Sequence, residues 1–228
     1  KEARRRKVFR CCSCLGILLI LGGGVAFLGA WGVAKTGIYD IPFISSWAFH
    51  TPEPVHEVKL EGDYRKFDFL ESMRSDINNL MVTEHPGELR ASEASVALPE
   101  SAITAFVLQN IVPSAEQSGF TVEKAQVAIE PEGMELFAHL KRGEISFYLV
   151  INAVPEVIEN DIKLTVTSAK FGDLRIPTWI ANAVFGSFLG SALEALEVPL
   201  IGFVNLDRIE IVRGKIILFG TIEYTTFK

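Results

Sequence analysis

The chain has 228 residues, 22 Lys and Arg against 28 Asp and Glu, and a formal net charge of −6. Its charge is split unevenly. The first ten residues hold six Lys or Arg and one Glu, so the remainder carries 16 basic against 27 acidic side chains, net −11. An acidic body argues against nucleic acid as a partner and against electrostatic capture by anionic headgroups, but leaves apolar binding open.

The basic opening KEARRRKVFR runs into a stretch from Leu15 to Ala34 without a charge. A helix of about 20 apolar residues matches the hydrocarbon thickness of a bilayer, and the flanking Lys and Arg predict a cytoplasmic N-terminus. The expectation is a cytoplasmic tail at 1–14, a transmembrane helix at 15–34 and an extracytoplasmic remainder. The small residues Gly32 and Ala34 also suit a signal peptidase, but the apolar run exceeds the ~7–15 residues of a signal core, which favours an uncleaved anchor. Gly22, Ala26, Ala30 and Ala34 give the span one small face, without a GxxxG pair.

All three cysteines, Cys11, Cys12 and Cys14, precede the apolar run. Cys11 and Cys14 have the spacing of half a zinc site, yet no second pair of ligands follows, so no metal is expected. The remainder holds no cysteine and must be stabilised by its core. No N-x-S/T acceptor occurs, which favours a bacterial source.

Residues 35–57 read as a stalk, broken by Pro42, Pro52 and Pro54, with Tyr39, Phe43, Trp47 and Phe49 suited, like Trp31, to a membrane interface. From 58 to 228 the chain reads as one extracytoplasmic domain. A helix is expected over 64–81 from Phe67, Leu70, Met73, Ile77, Leu80 and Met81, ended by His85, Pro86 and Gly87. Leu89, Ala91, Ala94, Val96 and Leu98 suit a strand. LPES then starts a helix with Ala102, Ile103, Phe106, Val107 and Ile111 on one face, limited by Pro113.

A meander follows. Ala125, Val127 and Ile129, then Met134, Leu136, Ala138 and Leu140, then Ile145, Phe147, Leu149, Ile151 and Ala153, and then Ile162, Leu164 and Val166 recur at every second position, in segments separated by PEG, KRGE and ENDI. Such period-2 segments with short turns are antiparallel neighbours with one buried face. A last hairpin runs from Leu206 through Arg213-Gly214 to Tyr224.

Between these parts, Thr178 to Leu193 carries no charge, with Pro177 at its start and Pro199 beyond its end. A helix apolar nearly all round is buried on most sides. One reading is a core helix clasped by the sheet. The other makes Trp179, Ile180, Val184, Phe188, Leu189 and Leu193 one wall of a lipid-binding groove and Phe147, Leu149, Ile216 and Leu218 the other. The opposite sheet face also carries apolar groups: Phe137, Tyr148, Val150, Val154, Ile217 and Phe219.

With its basic and apolar N-terminus, VALPESAITAFV, alternating strands and SAKFGDLRIP leading into an apolar helix, the sequence resembles the YpmS-like bacterial membrane-anchored proteins over residues 90–228. The most specific stretch is Lys170 to Pro177. That family is distantly similar to tubular lipid-binding and AsmA-like envelope proteins. The resemblance implies lipid held between a long helix and a highly curved antiparallel sheet.

Signals for catalysis are absent. His50, His56, His85 and His139 lack a ligand spacing and read as solvated. Gly186-Ser187 and Gly190-Ser191 do not make a nucleophile elbow. Glu130, Glu132 and Glu135 read as a solvated turn tip. The expected fold is therefore α+β: an N-terminal transmembrane helix plus a curved antiparallel sheet wrapping a long apolar helix. The expected function is non-catalytic binding, with possible transfer, of lipid or another long apolar ligand at the outer face of a bacterial membrane. No cofactor is expected. The alternative is a membrane-anchored envelope scaffold or assembly subunit that binds another protein.

Overall fold

The computed structural model describes residues 24–60, 62–67, 92–158, 161–183 and 203–222. Helix α1 covers described residues 24–36 and α2 is a single turn, Ser45–Ala48; Tyr64–Lys66 forms a 3-10 turn. Then follow β1 (Ser92–Pro99), α3 (Glu100–Gln117), β2 (Thr121–Glu130), β3 (Gly133–Arg142), β4 (Ile145–Ile158), β5 (Asp161–Phe171) and β6 (Leu174–Ile176). A helical segment, α4, occupies described residues 178–183, and β7 (Phe203–Val212) and β8 (Lys215–Ile222) are the last described elements.

Two antiparallel sheets form. One has the order β2-β3-β4-β5-β6, the other β1-β8-β7. The first four strands of the larger sheet, β2 to β5, are the meander legible in the sequence, and β6 is added to it by the Gly172 turn. Its register sets Val127 opposite Leu136, Ile129 opposite Met134, Leu136 opposite Ile151 and Ala138 opposite Leu149, so the alternating apolar residues share one face. The register slips between Asn152 and Ala153 in the β4–β5 ladder. Such an irregularity bends and twists a strand.

In the smaller sheet, Val96 lies opposite Leu218 and Leu98 opposite Ile216. All four are buried. They join Ile103 and Phe106 of α3, Val127, Ile129, Leu136, Ile151 and Val166 of the larger sheet, and Leu206 of β7 in one core. Both sheets and α3 thus turn their apolar faces to a common interior.

This corrects the expected α+β arrangement. The described chain is mostly strand, in two sheets, and the long helix described against them is α3. The reason lies in pairing: β1 takes β8 as its partner, so the terminal hairpin builds a second sheet instead of extending the first. Only 178–183 of the expected apolar helix are described, and they dock through buried Ala181 and through Asn182, whose side-chain oxygen accepts from the Val166 N–H at 3.3 Å.

The expected transmembrane helix is corrected too. Among the described residues no helix is long and apolar enough to cross a membrane. Residues 1–23, most of the helix expected over 64–81, and His85 lie outside the described residues. Pro113 does not limit α3, which continues to Gln117. It sits on an exposed face, where the missing N–H costs one hydrogen bond without a buried clash.

Residues 35–60 lie on the domain. The Asp173 N–H donates to Lys35 O at 2.7 Å, and the His50 N–H donates to the Asp173 carboxylate at 2.9 Å. Gly172, with φ +58, makes this approach possible: a Cβ there would run into the carbonyl oxygens of Thr36 and Lys35. Further on, residues 51–60 form an extended strap whose even-numbered residues are half-buried and odd-numbered ones exposed. The Val55 N–H donates to Glu135 Oε1 at 2.7 Å, and Gln126 donates to His56 O.

Candidate functional site

Where the two sheets and α3 face one another, the side chains leave an apolar cleft of about 90 Å³. Strand alternation supplies its described lining from both sides: Met134, Leu136, Ile151 and Ala153 from β3 and β4, Leu98, Ile216 and Leu218 from the smaller sheet, and Ile103, Phe106 and Val107 from α3. Pro155, Ile162 and Leu164 extend it along β4 and β5. All of these side chains are hydrocarbon or thioether. Such a surface orients nothing through hydrogen bonds and offers a ligand only removal from water and dispersion contact.

Among the described residues expected to form a groove, two reach the cleft. Ile216 and Leu218 are buried and line the cleft. Leu149 is half-buried and packs against the main core and also against a satellite cluster of Leu108, Ala125 and Ala138. Phe147 belongs to an aromatic group, its ring 5.4 Å from Phe120 and 6.1 Å from Phe171. Trp179 is 73% exposed and Ile180 half-buried. Val184, Phe188, Leu189 and Leu193 lie outside the described residues. Sequence reasoning missed Met134, Leu136, Ile151 and Ala153 as lining, because alternation marks a buried face without telling a filled face from an open one.

No family model, curated protein or solved structure matches the chain.

What the site can do is therefore set by its own residues, and a separate polar tie joins the strap to the elements that build it. His56 on the strap presents Nε2 to Glu100 at 2.9 Å and Nδ1 to Glu130 Oε1 at 3.0 Å. Glu100 opens α3 and also accepts from the Ile129 N–H at 3.1 Å. Arg213, in the β7–β8 turn, reaches Glu130 Oε1 at 3.4 Å. In the same place the Glu100 N–H donates to Gly214 O, and the Gly214 N–H to Ile129 O, both at 2.9 Å. The strap, α3, β2 and the terminal hairpin are thus joined at one point. With both ring nitrogens facing carboxylates, His56 is a structural tie and not the solvated residue expected from its loop position. Glu130 and Glu135 are likewise engaged, and Glu132 alone of that turn remains exposed without a described partner.

His139, expected on a solvated face, is half-buried and stacks on Tyr148 with centroids 4.3 Å apart. Its Nε2 has no hydrogen-bond partner among the described residues. No group of three or more His, Cys, Asp or Glu that could hold a metal occurs among them.

Proposed function

We propose that this protein binds, without chemistry, a long apolar ligand of the lipid class, seating part of it in the cleft between the two sheets at a membrane surface. The observation that carries the proposal is the wholly apolar described lining of that cleft. Its size suits a short stretch of alkyl chain, since apolar cavities of order 100 Å³ stay dry and accept small hydrocarbons. Each methylene moved from water contributes about 0.8 kcal/mol, so a few are enough for retention without a polar anchor. The membrane location rests on the basic and uncharged sequences at the N-terminus, and the YpmS-like resemblance belongs to the same proposal.

The test is native mass spectrometry of the full chain with organic extraction of the same sample, followed by titration with an environment-sensitive fluorescent fatty acid. One extractable lipid per chain is the expected result. Ala153→Ile fills the cleft with a β-branched residue suited to a strand and should weaken probe binding about tenfold, the effect of about 1.4 kcal/mol, while thermal stability holds or rises. A clean apo mass, with no probe binding by the folded protein, overturns the reading in favour of an envelope scaffold that binds another protein.

A further inference from the structure

The loop at residues 37–49 has its polarity turned inside out. Tyr39 is 62% exposed, Phe43 91% and Trp47 79%, while Ala48 is 3% exposed. The loop is nonetheless internally braced. The Gly37 N–H donates to Ala34 O at 3.1 Å, and the Phe49 ring lies against Gly37, bringing the ends of the loop together. The Ser45 hydroxyl accepts from the Ile41 N–H at 2.7 Å and donates to Tyr39 O at 3.3 Å. Phe43 holds φ at +68°, a left-handed conformation that costs a bulky L-residue about 1–2 kcal/mol. Its side chain recovers little of this within the chain, because it stands in solvent.

We infer that this loop seats its aromatic side chains in the headgroup layer of a lipid bilayer. The position of the loop in the chain decides the occupant. It directly follows residues 11–34, which contain no charge. The described part of that run is α1, where Val25 is 71% and Leu28 69% exposed, and residues 11–23 continue the uncharged sequence beyond the described part. Trp and Tyr concentrate where apolar chain meets headgroups, their rings on the acyl side and their polar atoms toward water. Asp40 is the loop's one charged residue, so the contact is apolar and needs no anionic lipid. The inference rests on the membrane location proposed above, but not on what the cleft holds.

The test uses the full chain reconstituted in phosphatidylcholine vesicles. The chain has three tryptophans, so W31F/W179F leaves Trp47 as sole reporter. Phosphatidylcholine spin-labelled near its headgroup should remove most of the Trp47 emission, which should be blue-shifted and resist aqueous iodide. Phe43→Trp, in a chain whose native tryptophans are all Phe, should behave alike and checks the result at a second position. If the protein floats with the vesicles but iodide quenches both reporters and spin-labelled lipid quenches neither, this inference falls and the membrane location stands. Protection from iodide without quenching by lipid means cover by protein and overturns it as well. Failure to float overturns the inference together with the location. None of these outcomes touches lipid extracted from the cleft.

Discussion

Thr104 and Val127 exchange two hydrogen bonds: the Val127 N–H donates to Thr104 Oγ1 at 2.9 Å, and the Thr104 hydroxyl donates to Val127 O at 3.2 Å. Thr104 lies on α3 and is 1% exposed, while β2 is an edge strand. One helical side chain therefore satisfies the outward backbone groups that a further strand would otherwise take. Thr104→Val keeps the shape and removes both bonds, so it should destabilise by about 2 kcal/mol, whereas Thr104→Ser should cost less than about 1 kcal/mol. Denaturant melts of the two variants check this. A Val variant as stable as the parent, with the loss confined to the Ser variant, would mean that the methyl group, not the hydroxyl, sets the value.

His56→Leu should leave Glu100 and Glu130 facing each other, each only partly exposed. The expected cost is about 1–2 kcal/mol after allowance for solvent screening. A double-mutant cycle with Glu130→Gln should show coupling, because the two residues meet directly. Additive losses would remove the tie from the account of how the sheets are joined. Arg213 is 74% exposed at its side chain, and its loss should be nearly neutral.

Gly172→Ala should undock residues 35–36 from the β5–β6 turn, because the added Cβ meets backbone oxygens that cannot rotate away. With the left-handed φ included, a loss above about 2 kcal/mol is expected locally. Limited proteolysis reads it as new cleavage between residues 35 and 50. An unchanged digestion pattern would contradict the docking.

Phe43→Gly should stabilise the fold by about 0.5 kcal/mol, since relief of the left-handed strain exceeds the entropy glycine adds to the unfolded chain. The same change should weaken the membrane contact of the loop. A rise in Tm together with weaker lipid quenching of Trp47 would separate the two roles, and a fall in Tm would show that the ring supports the fold.

The Glu57 carboxylate is held below its ordinary value, first by the hydrogen bond from Lys124 at 2.9 Å and then by the Lys124 charge. A lowered value in the folded state means that the contribution is present above the unfolded carboxylate range and is lost as pH falls through the folded value. Glu57→Gln should therefore flatten the acid side of the stability profile slightly, by little because the pair is exposed to solvent. A steepened acid limb would reverse the sign.

The meander was readable because its alternation and its turns agree. Val127, Leu136 and Ile151 fall at period-2 positions, and Gly133 and Gly143 stand where the chain reverses. Pairing between distant strands was not readable, since nothing in Val96 or Leu98 names Leu218 or Ile216 as a partner. The cleft was half legible for a related reason: Ile216 and Leu218 show as core positions, but whether the opposing residues fill the space depends on how far the sheets stand apart. The tie at His56 gave no sequence signal at all, because His56, Glu100, Glu130 and Arg213 come from four separate elements.

The pairing of β1 with β8 also sets a timetable for synthesis. The partner of β1 leaves the ribosome only after β2 to β7, whereas β2 to β5 can zip together strand by strand as they emerge. During that interval β1 lacks its ladder and Val96 and Leu98 lack the cover of Leu218 and Ile216, so newly made chains are at their most adhesive. Removal of the last hairpin should for that reason strand the nascent domain in an aggregation-prone form, not merely trim it.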